Sequence, residues 1–297
     1  MLRNKGENSM ELLKKLVRLG YVSFGAVILF SGVNFAQDPG QIKDQIAGQR
    51  YYSRLDYVIP LGELRVGMTP EYVPFEYKNN KKEIVGFDVD IAKKLADTLG
   101  AKLYIREYKW DDLILALKSG DVDIIISGMT RTLKRAIDIN FTEPYFETGI
   151  VVLVNEKYVN FVHCEKLCDA LNNKTIKVAV VKATTGEDLV RKKLPDVTVV
   201  EFDGEQEASN ALLTGRIDAF AFDKPFADSL VAKHPEIKIL TEQLNYEYYS
   251  FAVAKGDPDF LRWLDYFIDE LKLSGDYDSI YNKWFKQNAY NKLKQTK

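Results

Sequence analysis

Two stretches of this 297-residue chain follow the same pattern, 95 residues apart. Residues 116–130 read ALKSGDVDIIISGMT, and residues 211–225 read ALLTGRIDAFAFDKP. Each combines the end of a helix, a glycine turn, an aspartate three positions after the glycine and an apolar strand. At the same offset, the strand-like residues 103–105 correspond to residues 198–200. We therefore predict two α/β lobes of similar construction.

Strand and helix patterns alternate around the first copy of this repeat. The predicted strands are residues 64–67, 103–106, 122–127 and 176–181, and the predicted helices are residues 88–100 and 111–119. Ile91, Leu95 and Leu99 follow one another at helical spacing before a glycine stop. The alternation indicates a parallel sheet in each lobe. Ligands of such sheets bind beyond the carboxyl ends of the strands, so two facing lobes predict a cleft there.

Composition argues against several classes of protein. The formal net charge is −2, and acidic and basic residues are mixed without a basic stripe, so no nucleic-acid partner is expected. The chain carries no phosphate-binding loop, dinucleotide fingerprint or nucleophile elbow. His163 and His234 stand at no metal-ligand spacing. We therefore expect a protein that is not an enzyme and that uses no metal and no cofactor.

The N-terminal residues have the pattern of an export signal. Basic residues at positions 14, 15 and 18 precede an apolar run over residues 19–35, which ends at Ala36. This order predicts a signal peptide over residues 1–36 and a periplasmic protein, followed by a polar linker over residues 37–54. Asn34 is not the usual small residue before a cut, so an uncleaved anchor remains an alternative. Outside the cytoplasm Cys164 and Cys168 could pair or stay free, and their spacing leaves both open.

Polar groups gather where the two repeated strands end. Ser127 to Thr132 form a hydroxyl-rich loop, and Arg135 follows it. Residues 182–187 form a polar loop that opens a helix, whose backbone N–H groups suit an anion. Asp223 ends the second repeated strand. A guanidinium for a carboxylate and an aspartate for an ammonium are what a free amino acid needs.

Four stretches resemble one known family. They are VPFEYKNNKKEIVGFDVDIAKKLADTLG (residues 73–100), SGMTRTLKRAIDINFTEPYFETG (residues 127–149), VAVVKATTGEDL (residues 178–189) and SGDYDSIYNKWF (residues 274–285). Residues 63–290 resemble the polar amino-acid-binding periplasmic proteins, such as the glutamine- and histidine-binding proteins. The resemblance implies the two-lobed α/β type II periplasmic-binding-protein fold (Venus flytrap) with two hinge crossovers. The expected lobes are residues 55–152 with 247–297 and residues 153–246, with hinges near residues 151–153 and 249–253.

The resemblance also implies roles for single residues. Arg135 and Thr130 match the ligand-carboxylate contacts, Thr185 matches the contact from the second lobe, and Asp223 matches the acid that takes the ammonium. The remaining matches are the backbone-lining Ser127 and Gly128 and the aromatic walls Tyr72 and Trp110. The implied partners are a free amino acid and the permease subunits of an ABC importer, and the implied state is a monomer.

The side-chain end of the ligand is less constrained. Some relatives place an aspartate where this chain has Thr69, which argues against a basic ligand, whereas Arg131 could reach the pocket and favour an acidic side chain. The expected ligand is therefore a polar or acidic amino acid. Two alternatives stay open. One is an enzyme that resembles cyclohexadienyl dehydratases, with Glu71 or Glu187 as its acid, and the other is a ligand-sensing ectodomain. The aromatic run of Tyr246, Tyr248 and Tyr249 is expected to pack between the lobes.

Overall fold

The computed structural model describes residues 53–158, 171–240 and 243–286. All of them fall in one of two units of the chain, Tyr52–Lys297. The predicted signal peptide, all but the last two residues of the predicted linker, and Cys164 and Cys168 lie outside the described residues. Within the described residues, no helix is long and apolar enough to cross a membrane.

The first lobe is built on a five-stranded sheet in the order β5-β1-β6-β15-β7. Its strands are β1 (Glu63–Met68), β5 (Lys102–Glu107), β6 (Ile124–Ile125), β7 (Ile139–Phe141) and β15 (Ala252–Ala254). Strand β1 runs parallel to β5 and β6, whereas β15 is antiparallel to β6 and β7. The three parallel strands are the ones that the sequence pattern predicts, although β6 pairs over only two of the six predicted residues.

Helices and a small sheet cover this first sheet. The helices are α1 (Leu55–Leu61), α2 (Phe87–Leu99), α3 (Leu113–Ser119), α7 (Pro258–Leu273) and α8 (Asp276–Tyr281), and the small sheet contains β2 (Glu71–Tyr72), β3 (Glu76–Lys78) and β4 (Ile84–Val85). Helix α2 buries Ile91, Leu95 and Leu99 against the sheet, as their spacing predicts. It ends because Gly100 adopts the left-handed conformation, at φ +64°, and its N–H caps the carbonyl of Ala96.

The second lobe repeats this plan. Its sheet has the order β11-β10-β12-β9-β13, with β9 (Ile150–Asn155), β10 (Lys177–Val181), β11 (Thr198–Phe202), β12 (Ala219–Asp223) and β13 (Ile237–Ile239). Its helices are α4 (Thr185–Lys193), α5 (Glu205–Leu213) and α6 (Lys224–Lys233). Strands β6 and β12, which come from the two copies of the repeat, hold the same central position in their sheets. The predicted pair of similar lobes is therefore confirmed.

Two short strands carry the chain between the sheets. They are β8 (Phe146–Thr148) and β14 (Glu247–Tyr249), which pair antiparallel with each other. Strand β9 pairs with β12 from Ile150 onward, and all six of its residues are buried. A continuous apolar run is typical of a strand buried on both faces, so we infer that the first crossover lies at residues 146–149, before the hinge expected at 151–153. The return crossover at β14 overlaps the start of the expected second hinge.

Candidate functional site

The two lobes face each other across a cleft of about 450 Å³, counting the space that opens to solvent. The lining residues come from both lobes: Thr69, Tyr72, Glu76, Trp110, Ser127, Gly128, Thr130, Arg135, Val181, Thr184, Thr185, Glu205, Phe222 and Asp223. All eight residues predicted to bind ligand are in this set, so the fold brings them together over more than 150 residues of chain.

Arg135 is held on the first-lobe side of the cleft. It begins a short 3₁₀ turn, Arg135–Ile137, and its Nη1 donates to the carbonyl of Thr130 at 2.8 Å. Its Nη2 donates to the carbonyl of Ala183 in the second lobe at 3.1 Å, and its guanidinium lies 5.1 Å from the ring centre of Trp110. Burial lowers the pKa of Arg135, while the charges of Glu247 and Asp223 act in the opposite direction. The guanidinium still stays charged in this environment.

The carbonyl of Ala183 accepts a second hydrogen bond from the first lobe. The indole Nε1 of Trp110 donates to it at 3.1 Å. Ala183 adopts the left-handed backbone conformation, at φ +58°, which non-glycine residues rarely enter. Its N–H donates to Glu187 Oε2 at 2.9 Å, and Glu187 also pairs with Arg191. These bonds hold the loop in a conformation in which one carbonyl accepts from two first-lobe side chains.

Two predicted hydroxyls meet on a carboxylate that the sequence did not single out. Thr130 from the first lobe and Thr185 from the second donate to Glu247 Oε2 at 2.6 and 2.9 Å. Asn245 Nδ2 donates to the other oxygen of Glu247 at 2.7 Å. Glu247 lies on the return crossover β14, and its side chain is buried. Nothing in the local pattern distinguishes it, because its importance comes from the two lobes that converge on it.

Asp223 is the predicted acid of the second lobe, and its position follows from the end of β12. Its Oδ1 is inaccessible to solvent and has no hydrogen-bond partner among the described residues. Burial and the charge of Glu247 raise the pKa of Asp223 to about 8, although the Tyr249 hydroxyl and Arg135 act in the opposite direction. A buried carboxylate in this situation favours a cation beside it.

Ser127 and Gly128 shape the base of the cleft. Ser127 Oγ donates to Glu76 Oε1 at 2.5 Å and accepts from the backbone N–H of Thr69 at 3.0 Å. The N–H of Gly128 donates to Asp88 Oδ2 at 2.8 Å. At φ +52°, a side chain on Gly128 would be strained, and its Cβ would lie 2.5 Å from the ring of Tyr72. Glycine is therefore required where the aromatic wall approaches the backbone.

Three buried carboxyl groups near the cleft escaped the sequence reasoning. Asp88 sits beneath Gly128, and Glu76 lines the cleft next to it. Burial raises the pKa of Asp88 to about 7 and that of Glu76 well above its usual value, and the negative charge of Asp88 raises the Glu76 pKa further. Glu205, at the start of α5, also lines the cleft, and burial raises its pKa to about 7. The sequence pattern does not distinguish these three acids, because acidic residues are common next to strand ends and in the first turn of helices.

Some predicted contacts are wrong. Arg131 lies outside the cleft lining, 3.5 Å from Glu143 and with its guanidinium 5.2 Å from the ring centre of Tyr248, so it does not favour an acidic ligand. Tyr246 and Tyr248 are 87% and 41% exposed and do not pack between the lobes. Tyr249 is fully buried, and its hydroxyl lies 2.5 Å from that of Tyr72.

Metal-ligating groups, and the acids considered for a dehydratase, would have to lie at the cleft lining to act there. In the described part of the chain, no group of His, Cys, Asp or Glu residues could hold a metal ion. Glu71 and Glu187, the acids considered for a dehydratase, are both outside the cleft lining. The side chain of Glu71 approaches Gly204 in the second lobe, where a Cβ would meet its Oε2 at 2.8 Å. The arrangement instead presents donors, acceptors and charges for a small zwitterion.

Comparison with known proteins identifies the family. A model of the bacterial extracellular solute-binding proteins, family 3, matches residues 64–287, which include both lobes. The chain belongs to this family. The predicted resemblance and the predicted type II periplasmic-binding-protein fold are thus confirmed, and proteins of the family work outside the cytoplasm.

Relatives of this family 3 protein bind different amino acids. The ABC transporter glutamine-binding protein GlnH of Bacillus subtilis is 30% identical over 285 residues, or 93% of this chain and 99% of the relative. An ancestral amino acid-binding protein, described as a precursor of cyclohexadienyl dehydratase, is 36% identical in its crystal structure, with a TM-score of 0.74 over 79% of this chain and 100% of that chain. A candidate ABC transporter binding component from Wolinella succinogenes, complexed with lysine, is also 36% identical, with a TM-score of 0.74 over 78% and 99%.

Proposed function

We propose that this family 3 solute-binding protein captures a free α-amino acid between its lobes and delivers it to an ABC importer. One observation carries the proposal. A first-lobe guanidinium, Arg135, and a buried second-lobe carboxylate oxygen without a partner, Asp223 Oδ1, line the same cleft. These two charges match the carboxylate and the ammonium of an amino acid.

Pairing both ends of the ligand is a physical requirement. Burial of a charge is costly unless the charge is paired and hydrogen-bonded. Arg135 and the backbone of Thr130 receive the ligand carboxylate. The hydroxyls of Thr130 and Thr185, which donate to Glu247 in this structure, turn to the ligand carboxylate when it binds, so that Thr185 adds a second-lobe contact. Asp223 receives the ammonium, which lowers the pKa of this carboxyl from about 8 toward its usual range because the positive charge favours the ionised form. Tyr72 and Trp110 enclose the rest of the molecule.

The contacts between the lobes support binding by closure. Arg135 and Trp110 reach from the first lobe to the Ala183 carbonyl, and Glu247 accepts from both lobes. A ligand that docks on Arg135 and Thr130 therefore gains the contacts of Thr185 and Asp223 only when the second lobe closes. Because these contacts exist only in the closed state, ligand shifts the population toward closure.

Export and delivery complete the proposal. Residues 1–36 direct the chain to the periplasm, and the protein acts as a monomer that docks on the permease subunits of its importer. The relatives named as ABC transporter binding proteins support this role.

We also propose that the protein has no dehydratase activity, although one relative is described as a precursor of such an enzyme. Incubation with prephenate or arogenate should give no aromatic product. Formation of phenylpyruvate or phenylalanine with turnover would contradict this part of the proposal.

A thermal-shift screen tests the binding function directly. The purified protein without residues 1–36 is heated alone and with each of the twenty amino acids, dicarboxylates and polyamines. A ligand at about one hundred times its dissociation constant stabilises the native state by about 2.7 kcal/mol, which is a readable shift. At least one α-amino acid should raise the melting temperature. A screen in which no α-amino acid does so, while the protein melts cooperatively, contradicts the proposed function.

A further inference from the structure

The cleft holds more carboxyl groups than an amino-acid head group can use. Among its described lining residues, Arg135 is the one cation, whereas Glu76, Glu205 and Asp223 are carboxyl groups. The head group of an amino acid carries one charge of each sign, and Arg135 and Asp223 match it. Glu76 and Glu205 are left for the remainder of the ligand.

Glu205 is buried but has no positive partner. Glu205 is the first residue of α5, and only 5% of it is exposed to solvent. Its Oε1 has no hydrogen-bond partner among the described residues. In the same part of the chain, it takes part in no ion pair with Lys, Arg or His. The nearby charge of Glu71 disfavours ionisation of Glu205 further and raises its pKa, in addition to burial. A carboxyl group in this position lacks a cation.

Glu76 contributes a second carboxylate oxygen from the first lobe. Its Oε1 accepts from Ser127, but its Oε2 is inaccessible to solvent and has no partner among the described residues. Tyr72, Glu76 and Glu205 line the same cleft, and burial raises the pKa of Tyr72, as do the negative charges of both carboxyl groups. Carboxyl groups from opposite lobes therefore line the cleft together with Tyr72, and of these two groups Glu205 is the one that accepts no hydrogen bond from a side chain among the described residues.

Tyr72 supplies an aromatic surface beside these oxygens. Its ring stacks on Phe75 with the centres 4.9 Å apart and meets the edge of Phe222 at 5.8 Å. Aromatic rings accept the apolar stem of a long side chain and attract a cation at their face. Carboxylates next to an aromatic wall are suited to an ammonium or a guanidinium at the end of an aliphatic chain.

We propose that Glu205, supported by Glu76, selects an amino acid whose side chain ends in a cation. The inference rests on the proposed function, because it concerns the side-chain end of the same cleft. It replaces the expectation of a polar or acidic ligand, which depended on Thr69 and on an Arg131 that lies outside the cleft. The acid that Thr69 lacks is supplied from a different element, the N-terminus of α5.

Selection then follows from what each competitor leaves unpaired. A cationic side chain pairs with Glu205, whereas a neutral side chain of the same length leaves this carboxyl group buried without a counter-charge. An acidic side chain adds a like charge beside two carboxyl groups. The site thus rejects wrong ligands as well as binding the right one, which gives larger discrimination than shape alone.

The test compares L-arginine with L-citrulline, which has the same length but a neutral urea group in place of the guanidinium. Titration calorimetry at pH 8 on the native protein should show arginine binding about 30-fold or more tightly, the range for a buried charge that loses its partner. Glu205→Gln should reduce this preference to a few-fold, because it weakens arginine binding and does not weaken citrulline binding. Glu207→Gln, an exposed change on the same helix, should keep the native preference.

The outcomes separate the inference from the function it rests on. Equal affinity of the native protein for arginine and citrulline overturns the inference, and this comparison needs no variant. A full native preference in a folded Glu205→Gln protein also overturns it. Binding of glutamine or glutamate without arginine or lysine overturns the inference alone, whereas binding of no α-amino acid at all overturns the proposed function.

Discussion

Asp223→Asn should weaken ligand binding and stabilise the fold, because the buried carboxylate of Asp223 favours binding but destabilises the native state. At pH 7, an aspartate with an ordinary pKa of 3.8 and a folded-state pKa of about 8 takes up a proton on folding. About three pKa units lie between 3.8 and 7, and each is worth about 1.4 kcal/mol, so folding costs about 4 kcal/mol at this site. Asparagine does not titrate and therefore avoids this cost. Because part of the cost comes from neighbouring carboxyl groups that can themselves take up the proton, the variant should gain about 1–4 kcal/mol in unfolding free energy.

The pH dependence has a definite sign. Between about pH 4 and 8 the folded protein binds this proton and the unfolded chain does not, so native stability falls as pH rises through that window. Denaturant unfolding of native and variant protein at pH 5 and pH 8 should therefore show the gain of Asp223→Asn growing with pH. Glu247, Arg135, Tyr249 and Glu205 face the same carboxyl and remain in both proteins.

Ligand binding should change in the opposite direction. Loss of the acid leaves the ligand ammonium without its charge partner, which costs about 2–5 kcal/mol, or about 30-fold or more in the dissociation constant. Calorimetry with the amino acid found in the screen measures this. Asp228→Asn is the control, since Asp228 is exposed on the adjoining helix α6, where its pair with Lys224 is worth less than about 1 kcal/mol. Asp223→Asn with native affinity, or with lower stability than the native protein at pH 8, would refute the reasoning.

Three further changes test the cleft. Arg135→Ala should weaken amino-acid binding by well over about tenfold in calorimetry, because a buried ligand carboxylate loses its counter-charge; Lys134→Ala, which removes an exposed charge next to it, should leave affinity within a few-fold. Gly128→Ala should lower the unfolding free energy by about 1–3 kcal/mol in denaturant melts, since it strains a left-handed position and drives a methyl group into Tyr72, and an unchanged midpoint would contradict that geometry. Trp110→Phe keeps the aromatic wall but removes the indole hydrogen bond to the second lobe. It should therefore weaken ligand binding by about three- to tenfold. Native affinity in this variant would show that the bond does not assist closure.

Local patterns predicted much of the fold because their causes are local. The four-residue spacing of Ile91, Leu95 and Leu99 places these side chains on one helix face, and Gly100 ends that helix wherever it packs. The repeat likewise predicted two similar lobes, because each copy carries its own helix, turn and strand. The eight predicted site residues line one cleft for the same reason: the carboxyl ends of parallel strands meet at one edge of a sheet.

Tertiary structure decided the features that depend on distant partners. Whether Ile150 belongs to the first or the second sheet is set by its pairing with β12, more than 70 residues later in the chain. Arg131 contacts Glu143 and Tyr248 outside the cleft lining, and its sequence position next to Thr130 gave no sign of this.

The two repeated stretches therefore determined by themselves that this chain folds into two α/β lobes with a cleft between their strand ends. The charge balance inside that cleft was decided only by the folded chain. Glu76, Glu205 and Glu247 come from a short strand, a helix start and a crossover, and none has a periodicity or spacing that marks it. Burial and the charge of neighbouring carboxyl groups raise the pKa of Glu76 and Glu205, and Glu247 is buried where the two lobes converge. All of this depends on which distant segments pack around them.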